Sequence, residues 1–128
     1  MVKEGFVSLW VGNISTPAVL EELMLVAYSE EGESIPSLFA TYFGLPYYDD
    51  AVREAEYRES PSHEMEQLLA GFSYEEAITP RFIALTQQTW PHPFNTVILL
   101  YNFHYTGDIQ QIALEPIKLQ FLGAVPYQ

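Results

Sequence analysis

Thr96-Val97-Ile98-Leu99-Leu100-Tyr101-Asn102-Phe103-His104-Tyr105 is built almost wholly from branched and aromatic side chains. Such residues fit a pleated, buried surface, and the stretch reads as a central strand. Thr106-Gly107-Asp108 follows as a turn. Beyond it Ile117, Leu119, Phe121 and Val125 alternate with Lys118 and Gln120, the period of a second strand. Neighbouring strands joined by a turn pair antiparallel. Residues 6–12 also alternate: Val7, Leu9 and Val11 point one way, Phe6, Ser8 and Trp10 the other, and Gly12-Asn13 ends the run. A strand alone is not stable, so this one must join the same sheet.

The segments between these strands carry helix signals. Ser15-Thr16-Pro17 pairs a hydroxyl cap with a proline at the first helical position. Leu20, Leu23, Met24 and Ala27 then form one helical stripe. Residues 34–43 read as a short helix with Leu38, Phe39, Tyr42 and Phe43 as its apolar face. Gly44 is placed as its left-handed terminator, and Pro46 stops any continuation. Residues 49–59 are charged and compatible with a further helix. Ser60-Pro61 and Thr79-Pro80 repeat the cap-plus-proline signal, before Met65, Leu68 and Leu69 and before Phe82, Ile83 and Leu85. Strand, helices, then two strands predicts an α+β fold, a small antiparallel sheet of three or four strands with helices packed on one face. Val7, Leu9 and Val11 are expected against Leu20, Leu23 and Ala27. Trp10, Ile98, Leu100 and Leu122 share the opposite parity with Asn102, His104, Lys118 and Gln120. That half-apolar face is expected to be covered by a second subunit or, the reading preferred, by residues 91–94, a rigid loop around His92.

The chain has 128 residues, 48% of them apolar, which suits one domain spanning 1–128 with a core of its own. Absence of cysteine excludes disulfides, thiolate metal sites and cysteine nucleophiles, and fits a reducing cytoplasm. No apolar run approaches the roughly 20 residues that span a bilayer, and the N-terminus lacks the continuous apolar stretch of a signal peptide. The chain therefore reads as an unprocessed cytoplasmic protein. Its 17 acids against 5 bases give a net charge of −12. Such a chain repels nucleic acid and anionic membranes, so neither is expected as a partner. The charge is uneven: residues 21–76 hold 14 acids and two bases, Arg53 and Arg58, and the remainder is neutral. A solvated surface would explain this. So would a docking face for a basic partner, since Tyr42, Phe43, Tyr47, Tyr48 and Tyr57 are interleaved with the acids and tyrosines beside charges anchor interfaces.

Chemistry is sparse. His63, His92 and His104 have no metal-ligand spacing, and no phosphate loop or nucleophile elbow occurs. Asp49, Asp50 and Glu54 lack the spacing of a calcium loop. No enzyme activity, catalytic residue, metal or cofactor is expected. The reading set against binding is a small-ligand or enzymatic pocket near Trp10, Asn102 and His104.

Val7-Ser8-Leu9-Trp10-Val11-Gly12-Asn13, followed by a hydroxyl-capped acidic helix, resembles the start of immunity protein family 22 of bacterial polymorphic toxin systems. Phe43-Gly44-Leu45-Pro46-Tyr47-Tyr48-Asp49-Asp50 is similar to that family's aromatic and acidic segment. Ser73-Tyr74 resembles its Ser-Tyr step, residues 95–105 its Asn-led apolar strand, and residues 121–127 its last strand. Pro80 and His104 depart from the pattern. The resemblance implies a small cytoplasmic α+β protein, encoded beside a toxin, that binds and neutralises it. A basic nuclease domain is one toxin class that an acidic inhibitor would suit, by standing in for phosphates. Combined with the charge pattern, the expected docking patch is Tyr47, Tyr48, Asp49, Asp50 and Glu54, held in a bend after Gly44 and Pro46.

Overall fold

The computed structural model describes residues 1–46, 48 and 50–128, and of Asp50 the backbone alone. The elements run β1 (Val2–Ile14), α1 (Pro17–Met24), β2 (Ala27–Tyr28), β3 (Ser34–Ile35), α2 (Leu38–Phe43), a 3-10 turn (Asp50–Val52), β4 (Arg53–Glu64), α3 (Met65–Leu69), α4 (Glu75–Leu85), β5 (Thr89–Phe103), β6 (Gln111–Leu114) and β7 (Ile117–Pro126). The fold is α+β. Its antiparallel sheet has five strands in the order β4-β5-β1-β7-β6, one more than the upper expectation, and β2 and β3 form a separate hairpin. The strands not foreseen are the two edges. β6 is short. β4 occupies the charged stretch read as helix-compatible, and Ser60-Pro61 lies inside it rather than starting a helix.

Local signals place the helices well. Thr16 caps α1, its hydroxyl accepting from the Val19 amide at 3.3 Å, with Pro17 opening the helix. Gly44 ends α2 in the left-handed region at φ 63°, where a side chain would be strained. Two starts fall later than expected or vanish. α2 begins after a Ser37 cap, Ser34 and Ile35 being strand, and Pro80 sits inside α4 rather than opening it. Ala27 belongs to β2, not to the α1 stripe.

The expectation that helices cover one face is overturned. β1 and β5 are apolar at both parities, so each face of the sheet must be covered. Val7, Leu9, Val11, Val97, Leu99 and Tyr101 pack with Met65, Leu68, Phe72, Ile78 and Phe82 of the α3–α4 layer. Trp10, Ile14, Ile98, Leu100 and Phe103 pack with Leu20, Leu23, Phe39 and Phe43 of the α1–α2 layer. Val7, Leu9 and Val11 therefore do not meet Leu20 and Leu23, as expected, but face the other way. The face of Trp10 is covered by helices, not by residues 91–94, which lie within β5. Fully burying one such side chain stabilises by roughly 1.5–3 kcal/mol, so both layers contribute substantially.

Two irregularities shift the parity. The register of β1 with β5 breaks between Val2 and Val7, where Asn102 takes φ 57° and its Oδ1 accepts from the Gly5 amide at 3.0 Å. Tyr101 and Phe103 consequently serve opposite cores. The register of β1 with β7 shifts between Leu9 and Trp10, and Leu122, expected beside Trp10, lies in the α3–α4 core instead.

Candidate functional site

β4 alternates with period two. Arg53, Ala55 and Tyr57 face the α1–α2 layer, and Glu54, Glu56 and Arg58 face the α3–α4 layer, as their partners Leu100, Leu99, Ile98 and Val97 on β5 require. Both arginines of the acidic region are spent on the fold. The Arg53 guanidinium donates to the carbonyl of Met24 at 2.5 Å, closing the end of α1. That of Arg58 donates to the carbonyls of Leu68 and Ala70 at 3.2 and 2.6 Å, closing the end of α3. Arg58 also lies over the Phe72 ring and 3.2 Å from Glu56. Glu56 is the one acid of residues 21–76 with an ion-pair partner among the described residues.

Glu54 does not project as a free acid. One carboxylate oxygen accepts from the Ser73 amide at 2.9 Å, and the other from the Ser73 hydroxyl at 2.5 Å. The Tyr101 hydroxyl donates to the Ser73 carbonyl at 2.6 Å and stands 3.3 Å from the same carboxylate. Three tyrosines meet here. The Tyr74 ring centroid lies 4.7 Å from Tyr127 and 6.1 Å from Tyr101, and the last two are 5.3 Å apart. The Tyr127 hydroxyl donates to Asn102 Oδ1 at 2.6 Å. A shallow cleft opens between this cluster and residues 51–54. Tyr101 is held neutral, its pKa pushed far above the ordinary value by burial first, then by the charge and hydrogen bond of Glu54.

Tyr48 is half-buried. Its ring meets Phe103 edge-on at 6.2 Å, and its hydroxyl is 3.5 Å from that of Ser37. With Tyr28, Pro36, Ala40 and Leu45 it lines an apolar groove beneath the β2–β3 hairpin. Segment 45–54 thus starts at the groove and ends at the cleft. Tyr47, Asp49 and the Asp50 side chain lie outside the described residues. Of the expected patch, the structure places Tyr48 and Glu54 on opposite layers at one end of β5, against Phe103 and Tyr101 respectively.

Trp10, Asn102 and His104 do not form a pocket. Trp10 is fully buried within rings of Phe39, Phe43, Tyr105 and Phe121. Asn102 serves Gly5 and Tyr127, and His104 stacks on Phe6 at 5.5 Å. Trp10 faces helices rather than a cavity, and of the three only Asn102 is among the residues that line the tyrosine cleft. Tyr74, Tyr101 and Tyr127 were not anticipated as one site. The Ser73-Tyr74 step was the available signal, and it marked the centre of the cleft.

Among the described residues no group of three or more His, Asp or Glu could hold a metal, and no helix is long and apolar enough to cross a membrane. No curated protein and no solved structure matches the chain. A family model described as Immunity protein 22 matches residues 7–128, from the first buried residue of β1 through all five strands of the sheet and both helical layers. The resemblance carried by the strand, Ser-Tyr and aromatic-acid segments is thereby established, and the chain belongs to the Immunity protein 22 family.

Proposed function

We propose that the chain confers immunity by binding and neutralising a cognate bacterial toxin through its acidic, tyrosine-rich surface. The observation that carries this reading is the fate of Arg53 and Arg58. Both guanidiniums are directed to helix-end carbonyls, so the described acids of residues 21–76 are left almost without cation partners. Exposed Tyr28 and Tyr74 stand in the same region, and aromatic side chains beside un-neutralised charge suit a desolvated anchor inside a steering field. We assign docking to segment 47–54, with Tyr47, Tyr48, Asp49, Asp50 and Glu54 as contact residues. A basic toxin surface is the complementary partner, and the cleft of a basic nuclease domain is one form of it.

The test uses the toxin domain encoded beside this chain. Double reversal of Asp49 and Asp50 to lysine should slow association, most at low ionic strength, and leave dissociation nearly unchanged. Replacing Tyr48 with alanine should speed dissociation, costing about 1–3 kcal/mol of binding. Since Tyr48 also packs on Phe103, a melting curve must accompany its binding curve. Wild-type chain that neither binds nor protects against that toxin sinks the reading. Folded reversals that bind as wild type at every salt concentration move the interface to residues 30–33 or to residues 64–76.

A further inference from the structure

Glu54, Ser73 and the three tyrosines form a cleft whose chemistry is more specific than a charged surface. We propose that this cleft receives one arginine side chain of the protein partner, stacked on Tyr74 and charge-paired with Glu54. The inference rests on the toxin reading for the partner's identity and on the cleft's own geometry for the side chain received.

Tyr74 is 53% exposed yet held at φ 62°, in the left-handed region that costs a side chain roughly 1–2 kcal/mol. Glycine or asparagine would make this turn at lower cost. The tyrosine ring is also incompletely buried, so its presence is not repaid by the core. What the turn achieves is a ring buttressed by Tyr127 and Tyr101 with an open face at the cleft.

Glu54 supplies the charge. Its described neighbours are the Ser73 amide and hydroxyl, which donate to it, and the Tyr101 hydroxyl at 3.3 Å, none of them a cation. The nearest cations in sequence are committed to other partners: Arg53 lines the cleft but its guanidinium donates to the Met24 carbonyl, and Arg58 is tied to Leu68, Ala70 and Glu56. A carboxylate offers about four lone-pair sites, of which the Ser73 amide and hydroxyl engage two, and the hydroxyl oxygens of Ser73 and Tyr101 keep acceptor capacity. A planar guanidinium can use such dispersed acceptors while lying on an aromatic face, whereas a lysine ammonium matches neither the plane nor the fork. The upward shift of the Tyr101 hydroxyl, caused by burial and then by Glu54, agrees with a negative potential in the cleft.

The probe is N-acetyl-arginine amide, compared with its neutral isostere N-acetyl-citrulline amide, titrated into full-length chain carrying labelled tyrosine rings and followed by NMR. Arginine should shift the Tyr74, Tyr101 and Tyr127 rings saturably, and citrulline should bind at least roughly tenfold more weakly because it lacks the charge. Tyr74→Ala and Glu54→Gln should each weaken arginine binding by about fivefold or more. Glu54→Gln keeps hydrogen-bonding capacity toward Ser73. Tyr74→Ala removes an exposed side chain, so at least one variant stays folded. Equal shifts from both compounds, shifts that neither folded variant reduces, or no saturation at the three rings would overturn the proposal. Failure of the toxin reading is separable. Wild-type chain that selects arginine over citrulline but ignores the toxin supports the cleft and removes the toxin. Folded Tyr74→Ala chain that binds the toxin as tightly as wild type removes the cleft's role and leaves the toxin.

Discussion

Tyr101 joins the core to the cleft in one side chain. Its ring packs with Val7 and Leu9 of β1, while its hydroxyl holds the Ser73 carbonyl beside Glu54. The direction of its pKa shift makes a prediction about alkaline stability. Below the ordinary tyrosine pKa of about 10, folded and unfolded chains both keep the proton, and the shift leaves no pH dependence. Above it the unfolded chain releases a proton that the folded chain retains, so stability falls as pH rises. Tyr105, raised by burial as well, adds a loss of the same sign. Tyr101→Phe should therefore cost about 1 kcal/mol at neutral pH, from the lost hydrogen bond to Ser73. It should also flatten, without abolishing, the decline between neutral and strongly alkaline pH. Urea midpoints measured across that range for both chains check it. An alkaline decline as steep in the variant as in wild type would mean Tyr101 ionises freely in the folded state.

α4 carries the clearest local conflict at the level of elements. Pro80 is exposed in its interior, where it has no amide to give to the carbonyl of Glu76 and its ring crowds that turn. Pro80→Ala should stabilise the chain by about 1 kcal/mol, the restored bond being partly offset by a freer unfolded chain. A thermal melt that is unchanged or lower would show that the turn is already relaxed around the ring. Pro80 was legible in sequence as a helix start because Thr-Pro is usually a boundary, and the buried Ile78 and Phe82 on either side override that local preference. Caps at Thr16 and Gly44 could be read correctly because their chemistry is complete within a few residues. β4 could have been read from the alternation of Arg53, Ala55 and Tyr57 with Glu54, Glu56 and Arg58. Its charge disguised it, since an edge strand with half-solvated faces has the composition of a surface helix. Pro91 and Pro93 similarly disguised the start of β5. They are tolerated because β1 pairs with β5 only from Thr96 onward, leaving the earlier residues paired with β4 alone. Which helices lie on which face is decided by the connections between layers, and the signal for two covered faces was the unbroken apolar run from Val97 to Leu100.

Charge acts at the scale of the whole molecule, and its confinement to residues 21–76 was the part of the candidate site most visible in sequence. The tyrosine cleft was not visible, because Glu54, Tyr74, Tyr101 and Tyr127 come from four separated segments that only the sheet and α3–α4 bring together. The same acids must both steer a basic partner and repel one another within the free chain, and these two effects respond oppositely to salt. The Debye length falls from about 30 Å at 0.01 M to about 10 Å at 0.1 M, so repulsion between exposed carboxylates is progressively screened over this range. Raising sodium chloride across this range should relieve self-repulsion and raise the melting temperature of the free chain. About 1 kcal/mol of relief corresponds to roughly 3–5 °C for a chain of this size. Association with the basic partner should slow over the same range. Glu30, Glu31 and Glu33 isolate the first effect, since all three are exposed on the turn between β2 and β3 and none is among the residues that line the tyrosine cleft. Their joint replacement by glutamine should raise the low-salt melting temperature and reduce its salt dependence while leaving the tyrosine ring signals of the cleft in place. A melting temperature indifferent to salt in wild type and in the triple variant would show that the acids are spaced widely enough to be solvated independently. Steering would then rest on the few carboxylates of segment 49–54 rather than on the field of the whole region.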